Sequence, residues 1–110
     1  TVAALVGAAP SPTWMGRSLV PAITGGTLPP DPAFAELVAY PGWEHDIKVA
    51  VSGDGAWKLH HILSQRRYEL YRLADDPGED HDRWDDAAVA ADRERMTKLL
   101  LDFVEVTLAR

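Results

Sequence analysis

A chain of 110 residues, 46% of them hydrophobic, is long enough for one domain with a modest core and too apolar to stay disordered. Its net charge of -6 opposes binding to a phosphate backbone, so nucleic acid is not an expected partner. The absence of cysteine excludes a disulfide framework and any thiolate metal site, and no apolar run is long enough to predict a membrane span.

The opening Thr1-Val2 has neither an initiator Met nor a basic signal-type segment, the pattern expected of a fragment that begins inside a helix. Thr1 to Ala9 reads as a short helix capped by Thr1, ended by Gly7 and Pro10, and apolar almost all round, hence buried on several sides. Arg17 to Ile23 reads as a second helical turn closed by Gly25-Gly26, and Leu28 to Pro32 as a linker. Residues 7 to 31 hold five prolines and four glycines, so this arm is irregular and dependent on neighbours. Arg17, alone between apolar segments, is expected to tie backbone carbonyls or a carboxylate at a domain boundary. Of the four tryptophans, Trp14, Trp43, Trp57 and Trp84, a domain of this size houses two or three.

Ala33 to Tyr40 fits strand or helix and stops at Pro41-Gly42. Ile47 to Val51 alternates as a half-buried strand, and Ser52-Gly53-Asp54-Gly55 is hairpin chemistry. Trp57 to Leu63 is the return strand, with Trp57, Leu59, His61 and Leu63 on one face and Lys58, His60 and Ile62 on the other. Ser64-Gln65-Arg66 turns into a third strand, Tyr68 to Leu73, completing an antiparallel meander. Seven acids fall between Asp75 and Asp86, a solvated loop by composition. From Asp85 the period changes. Met96, Leu99, Leu100, Phe103 and Val106 form one helical stripe, Leu101, Val104 and Leu108 lie off it, Asp85 or Asp86 is the N-cap, and Arg110 suits the C-terminal dipole. The fold class is therefore α+β. A small antiparallel sheet of three to four strands (33–110) packs against a long C-terminal helix, behind a helical and irregular N-terminal arm (1–32).

Several of these segments together carry a resemblance. Trp57-Lys58-Leu59, then Glu69-Leu70-Tyr71-Arg72-Leu73, then Asp76-Pro77-Gly78-Glu79 resembles the run Trp-Lys-Leu, Glu-Leu-Tyr-Asp-Leu, Asp-Pro-Gly-Glu near the end of sulfatases, of the alkaline-phosphatase-like superfamily. Gly16-Arg17-Ser18-Leu19-Val20-Pro21 and Thr1 to Gly7 resemble two earlier segments of that family, in the same order. Arg72 stands where the family has an acid, and Asp82-Arg83 where it often has Asn-Leu. The resemblance implies the C-terminal subdomain of a sulfuric ester hydrolase. Its catalytic domain lies upstream in the same polypeptide and uses a formylglycine, made from Cys or Ser in Cys-x-Pro-x-Arg, with a divalent cation, usually calcium. Neither that motif nor its metal ligands occur here, so this chain is expected to be inactive alone, with no catalytic residue, metal or cofactor of its own.

Candidate residues follow. Lys58 and His60 share a strand face on which an anionic ester or sugar hydroxyl could be met, and adjacent His61 points the opposite way. These three are the candidate substrate-pocket residues. Arg17, Trp57, Glu69, Tyr71, Asp76, Pro77, Gly78 and Glu79 are read as structural. In the turn Asp76 accepts backbone N–H groups, Pro77 sets φ and Gly78 takes the left-handed position. Asp75, Asp76, Glu79, Asp80, His81 and Asp82 resemble a hard-cation site in composition, but their spacing is not that of a calcium loop. Arg66 and Arg67 serve solubility, or pair with the acidic loop or with the upstream domain. An apolar face left without its upstream domain also predicts homo-oligomerisation. The alternatives are a free-standing protein-interaction module and the C-terminal part of a related phosphatase or phosphotransferase.

Overall fold

Four strands follow one another along the chain: β1 (Ala33–Leu37), β2 (Ile47–Val51), β3 (Trp57–Ile62) and β4 (Arg67–Arg72). They form one antiparallel sheet in chain order, a simple meander. The computed structural model describes residues 1–108. Its compact units are Thr1–Pro30 and a second unit that begins at Asp31.

In the second unit the register sets Phe34, Ala50, Leu59 and Leu70 side by side across the sheet. The last three of these are wholly buried, and helix α3 (Ala90–Leu108) lies over them with Met96 and Leu100. Phe103 of α3 stacks on Phe34, ring centroids 4.0 Å apart. The helix therefore covers the face bearing Ala50, while Ile47, Val49 and Val51 point to the other side, half-buried. A methyl group at the sheet's centre lets the helix come close. Burial of the stripe fades along α3, and Val106 and the off-stripe Leu101 are exposed. Leu108's side chain and Arg110 lie outside the described residues.

Short connections hold the register. Between β2 and β3 the buried Ser52 accepts the Trp57 N–H (2.9 Å) and donates to Asp54, whose carboxylate accepts the Ala56 N–H (3.0 Å). Gly55 takes the left-handed φ of 71° that closes this turn. A short 3-10 turn, Leu63–Gln65, joins β3 to β4 and ends on Arg66 at φ 50°. Asp86 caps the 3-10 turn Ala87–Val89 that leads into α3, accepting the Ala88 N–H at 2.8 Å.

The first unit holds two single helical turns, α1 (Val2–Leu5) and α2 (Val20–Ile23). Both are shorter than the sequence predicts. Thr1 does not cap α1. Its Oγ1 instead accepts the Leu19 N–H at 2.9 Å, tying the two turns together. Val2, Leu5 and Val6 of the opening helix are exposed among the described residues, as are Trp14, Met15, Leu19 and Ile23, because a segment of this length has too few neighbours to surround an all-apolar turn. Arg17 donates to the Pro29 carbonyl at 2.6 Å, a backbone tie inside this unit.

Candidate functional site

The strand period places Lys58, His60 and Ile62 of β3 on the sheet face away from α3, and the antiparallel register sets His60 beside Glu69 and Lys58 beside Tyr71 of β4. The Asp-Pro-Gly-Glu turn then folds a further acid onto this surface. Glu79 donates its N–H to the Asp76 carbonyl (3.2 Å), a β-turn with Pro77 and Gly78 at its centre. Asp76 Oδ1 and Oδ2 accept the Asp80 and His81 N–H groups, each at 3.0 Å. These bonds hold the Asp76 carboxyl below its usual pKa, the Asp80 N–H being the largest cause.

The left-handed residue of the turn is Glu79, at φ 59°, and not Gly78. A Cβ at Gly78 would lie 2.8 Å from Asp80 Oδ2, the free end of a side chain that can swing aside. The strained backbone at Glu79 brings its side chain back over the sheet, where Oε1 accepts from Lys58 Nζ at 2.6 Å. Glu79 Oε2 lies 3.4 Å from His60 Nε2, a buried nitrogen with no hydrogen-bond partner. His60 Nδ1 faces Glu69 Oε2 at 3.9 Å, and that oxygen accepts the Tyr71 hydroxyl at 3.0 Å. Arg67 closes the far side, 2.9 Å from Glu69 Oε1 and 3.7 Å from Asp82 Oδ2. Burial, reinforced by the Lys58 charge, lowers the His60 pKa against the opposing pull of Glu79 and Glu69. Burial and the bond to Glu69 push the Tyr71 phenol up to about 12.

Lys58 and His60 thus meet in one cluster with Glu69, Tyr71 and Glu79, all five named from the sequence. His61 lies on the helix side, its ring stacked on Tyr68 at 4.1 Å and Tyr68 in turn on Trp84 at 4.6 Å. Burial, and secondarily Lys48, lowers the His61 pKa. Trp57 is buried in the core beneath α3, and Pro77 is the turn's rigid corner. Arg67 reaches Asp82 of the acidic loop, one of the pairings open from the sequence, while its contact with Glu69 and the contribution of Asp82-Arg83 to β4 were not foreseen. Asp82 accepts the Leu70 N–H (3.0 Å) and Arg83 donates to the Leu70 carbonyl (2.7 Å), so the pair that departs from the family pattern closes the outer edge of the sheet.

Chemically this is a clasp. With His60 neutral, two cations face three carboxylates, so the cluster is not an anion trap. Nor does it fit a cation: among the described residues no group of three or more His, Cys, Asp or Glu side chains is placed to hold a metal. Glu79, Asp82 and Asp76 of the loop are already engaged by Lys58, Arg67 and backbone N–H groups.

No family model matches the chain, and no curated protein matches it. Solved structures do. A protein from Bacteroides thetaiotaomicron VPI-5482 described as a candidate sulfatase superposes with a TM-score of 0.83 at 24% identity, over 96% of this chain. The fold is that of a part of sulfatase structures. A 2-O GAG sulfatase gives a TM-score of 0.82 at 24% identity over 96% of this chain. A protein in complex with its substrate D-glucosamine-2-N,6-O-disulfate gives 0.81 at 21% over 94%. The chain spans 23%, 23% and 22% of these three chains respectively.

Proposed function

We propose that this chain is the C-terminal structural subdomain of a sulfatase-type hydrolase, lacking catalytic residues itself and lending one sheet face to the substrate pocket. The observation that carries this reading is the coverage. Nearly all of this chain, 96%, finds a counterpart in less than a quarter of a sulfatase-like protein. The order of the sequence motifs supports it independently. In this reading the 1–32 arm packs on an upstream catalytic domain, which accounts for exposed Val2, Leu5, Val6 and Ile23. Formylglycine and calcium belong to that domain.

Lys58 and His60 are the residues through which this chain meets substrate, and Glu79 holds both in place. Because the Lys58 charge is neutralised by Glu79, the face contributes directed hydrogen bonds to a sugar or ester more than net attraction for sulfate. His61, on the opposite face, acts by packing. Arg17, Trp57, Glu69, Tyr71, Asp76, Pro77 and Gly78 serve the scaffold.

The test compares two proteins: the 110-residue chain and the polypeptide that includes its upstream coding sequence. The expected result is aryl-sulfate hydrolysis by the longer protein and none by the chain. Metal-dependent turnover by the chain alone overturns the proposal. The exposed apolar side chains of the arm also favour a second reading, a free-standing interaction module, which a start codon directly before Thr1 would support. A Thr or Ser nucleophile upstream, outside a Cys-x-Pro-x-Arg context, would instead mark a phosphatase or phosphotransferase.

A further inference from the structure

The two outer edges of the sheet differ. On β4 the outward N–H and C=O of Leu70 are taken by Asp82 and Arg83. On β1 the phase of the ladder can be worked out. Ser52 donates its N–H to the Trp57 carbonyl, so the in-phase pair Ala50–Leu59 is hydrogen-bonded. Ala50 therefore spends its backbone groups on β3, and its neighbour Phe34 turns both of its own outward, as does Glu36 opposite Lys48. Among the described residues no backbone or side-chain group bonds these outward positions. The strand Ala33–Leu37 carries no Lys, Pro or bulge to blunt this open edge, and its one charge, Glu36, is paired with Lys48 of the adjacent strand.

We propose that β1 is a self-pairing edge, joining two copies of this chain through an antiparallel β1–β1 contact centred on Ala35. The residues themselves choose this register. Centring on Phe34 would bring Pro32, which has no N–H, opposite Glu36 of the second copy and leave one bond unmade beside each Glu36, whereas centring on Ala35 moves Pro32 out to Val38, beyond β1. Centring on Glu36 would set the two Glu36 carboxylates directly against each other. Centring on Ala35 pairs Phe34 with Glu36 of the second copy, each exchanging both backbone bonds, and seats the methyl of Ala33 against Leu37. Glu36 keeps its ion pair with Lys48 of its own copy, so no new unpaired charge is buried. The proposal stands on the sheet alone and is independent of the sulfatase reading.

The chain has no cysteine, which permits a register-specific test. Ala35 meets its own copy in a non-hydrogen-bonded pair, with Cα atoms about 4.5 Å apart, inside disulfide range. Under mild oxidation Ala35→Cys should crosslink to a covalent dimer at least about tenfold faster than Ala33→Cys, which faces Leu37. Sedimentation equilibrium of the unmodified chain should show a reversible dimer. Glu36→Pro removes an outward N–H without touching the β2 ladder, and should weaken the dimer by at least about tenfold with an unchanged circular dichroism spectrum. A monomer at every concentration overturns the proposal and leaves the edge to a strand of the upstream polypeptide. A dimer in which both cysteines crosslink alike overturns it too, since the contact then lies elsewhere.

Discussion

Removing the charge of Glu79 should unfasten the acidic loop from the sheet, and the cost can be worked from the geometry. The Lys58–Glu79 pair is 2.6 Å long and its side chains are 25% and 27% exposed, between a surface pair and a buried one. Surface pairs contribute about 0.2–1 kcal/mol, and breaking a buried pair costs about 3–5 kcal/mol. Glu79→Gln keeps an acceptor for Lys58 while losing the charge, so the expected loss is about 1–1.5 kcal/mol. Lys58→Met keeps the side-chain stem and removes the ammonium. The double variant should then lose less than the sum of the singles, with a coupling of about 1 kcal/mol. Urea unfolding followed by circular dichroism reads this directly, as a midpoint shift of about 0.3–1 M at unchanged slope. A coupling below about 0.3 kcal/mol, within the additivity of independent sites, would refute the clasp.

Other outcomes follow from the same structure. Leu59→Ala should cost about 3 kcal/mol and lower Tm by at least about 12 °C, because Leu59 is wholly buried under α3, whereas Leu59→Met should cost less than about 1.5 kcal/mol. The His60 pKa is lowered on folding, so the unfolded chain binds the extra proton. That contribution is complete above the unfolded value of 6.5 and is lost as pH falls through the folded value, and His60→Gln should flatten the stability profile in that window. Losses from Asp76 come lower, below its ordinary 3.8, which separates the two in a pH series of urea melts. Tyr71 moves the opposite way. Between 10.0 and about 12 the folded chain holds the phenol proton that the unfolded chain has released, so stability falls as pH rises, and Tyr71→Phe should remove that alkaline slope.

Much of the fold was legible because it rests on local pattern. Trp57 to Ile62 alternates, Ser52 to Gly55 can only turn, and Met96, Leu100 and Phe103 recur at helical spacing. What the sequence concealed depends on distance. Lys58 and Glu79 are 21 residues apart, and nothing in either segment announces the other. The left-handed position fell on Glu79 rather than on the adjacent glycine, one residue later than the composition of the turn suggests. The signal that was available lies in the acids after β4. Asp82 stands just where the loop returns to that strand, and a short acid beside an edge strand can cap its free N–H groups. An apolar helix is buried only where something lies against it, and the described residues leave Val2 and Leu5 of α1 in water.

The most direct test of the account is the reading frame on the 5′ side of the Thr1 codon. The expected result is a continuous frame encoding a catalytic domain that contains Cys-x-Pro-x-Arg. A start codon immediately before Thr1, with no such domain in frame, would contradict it.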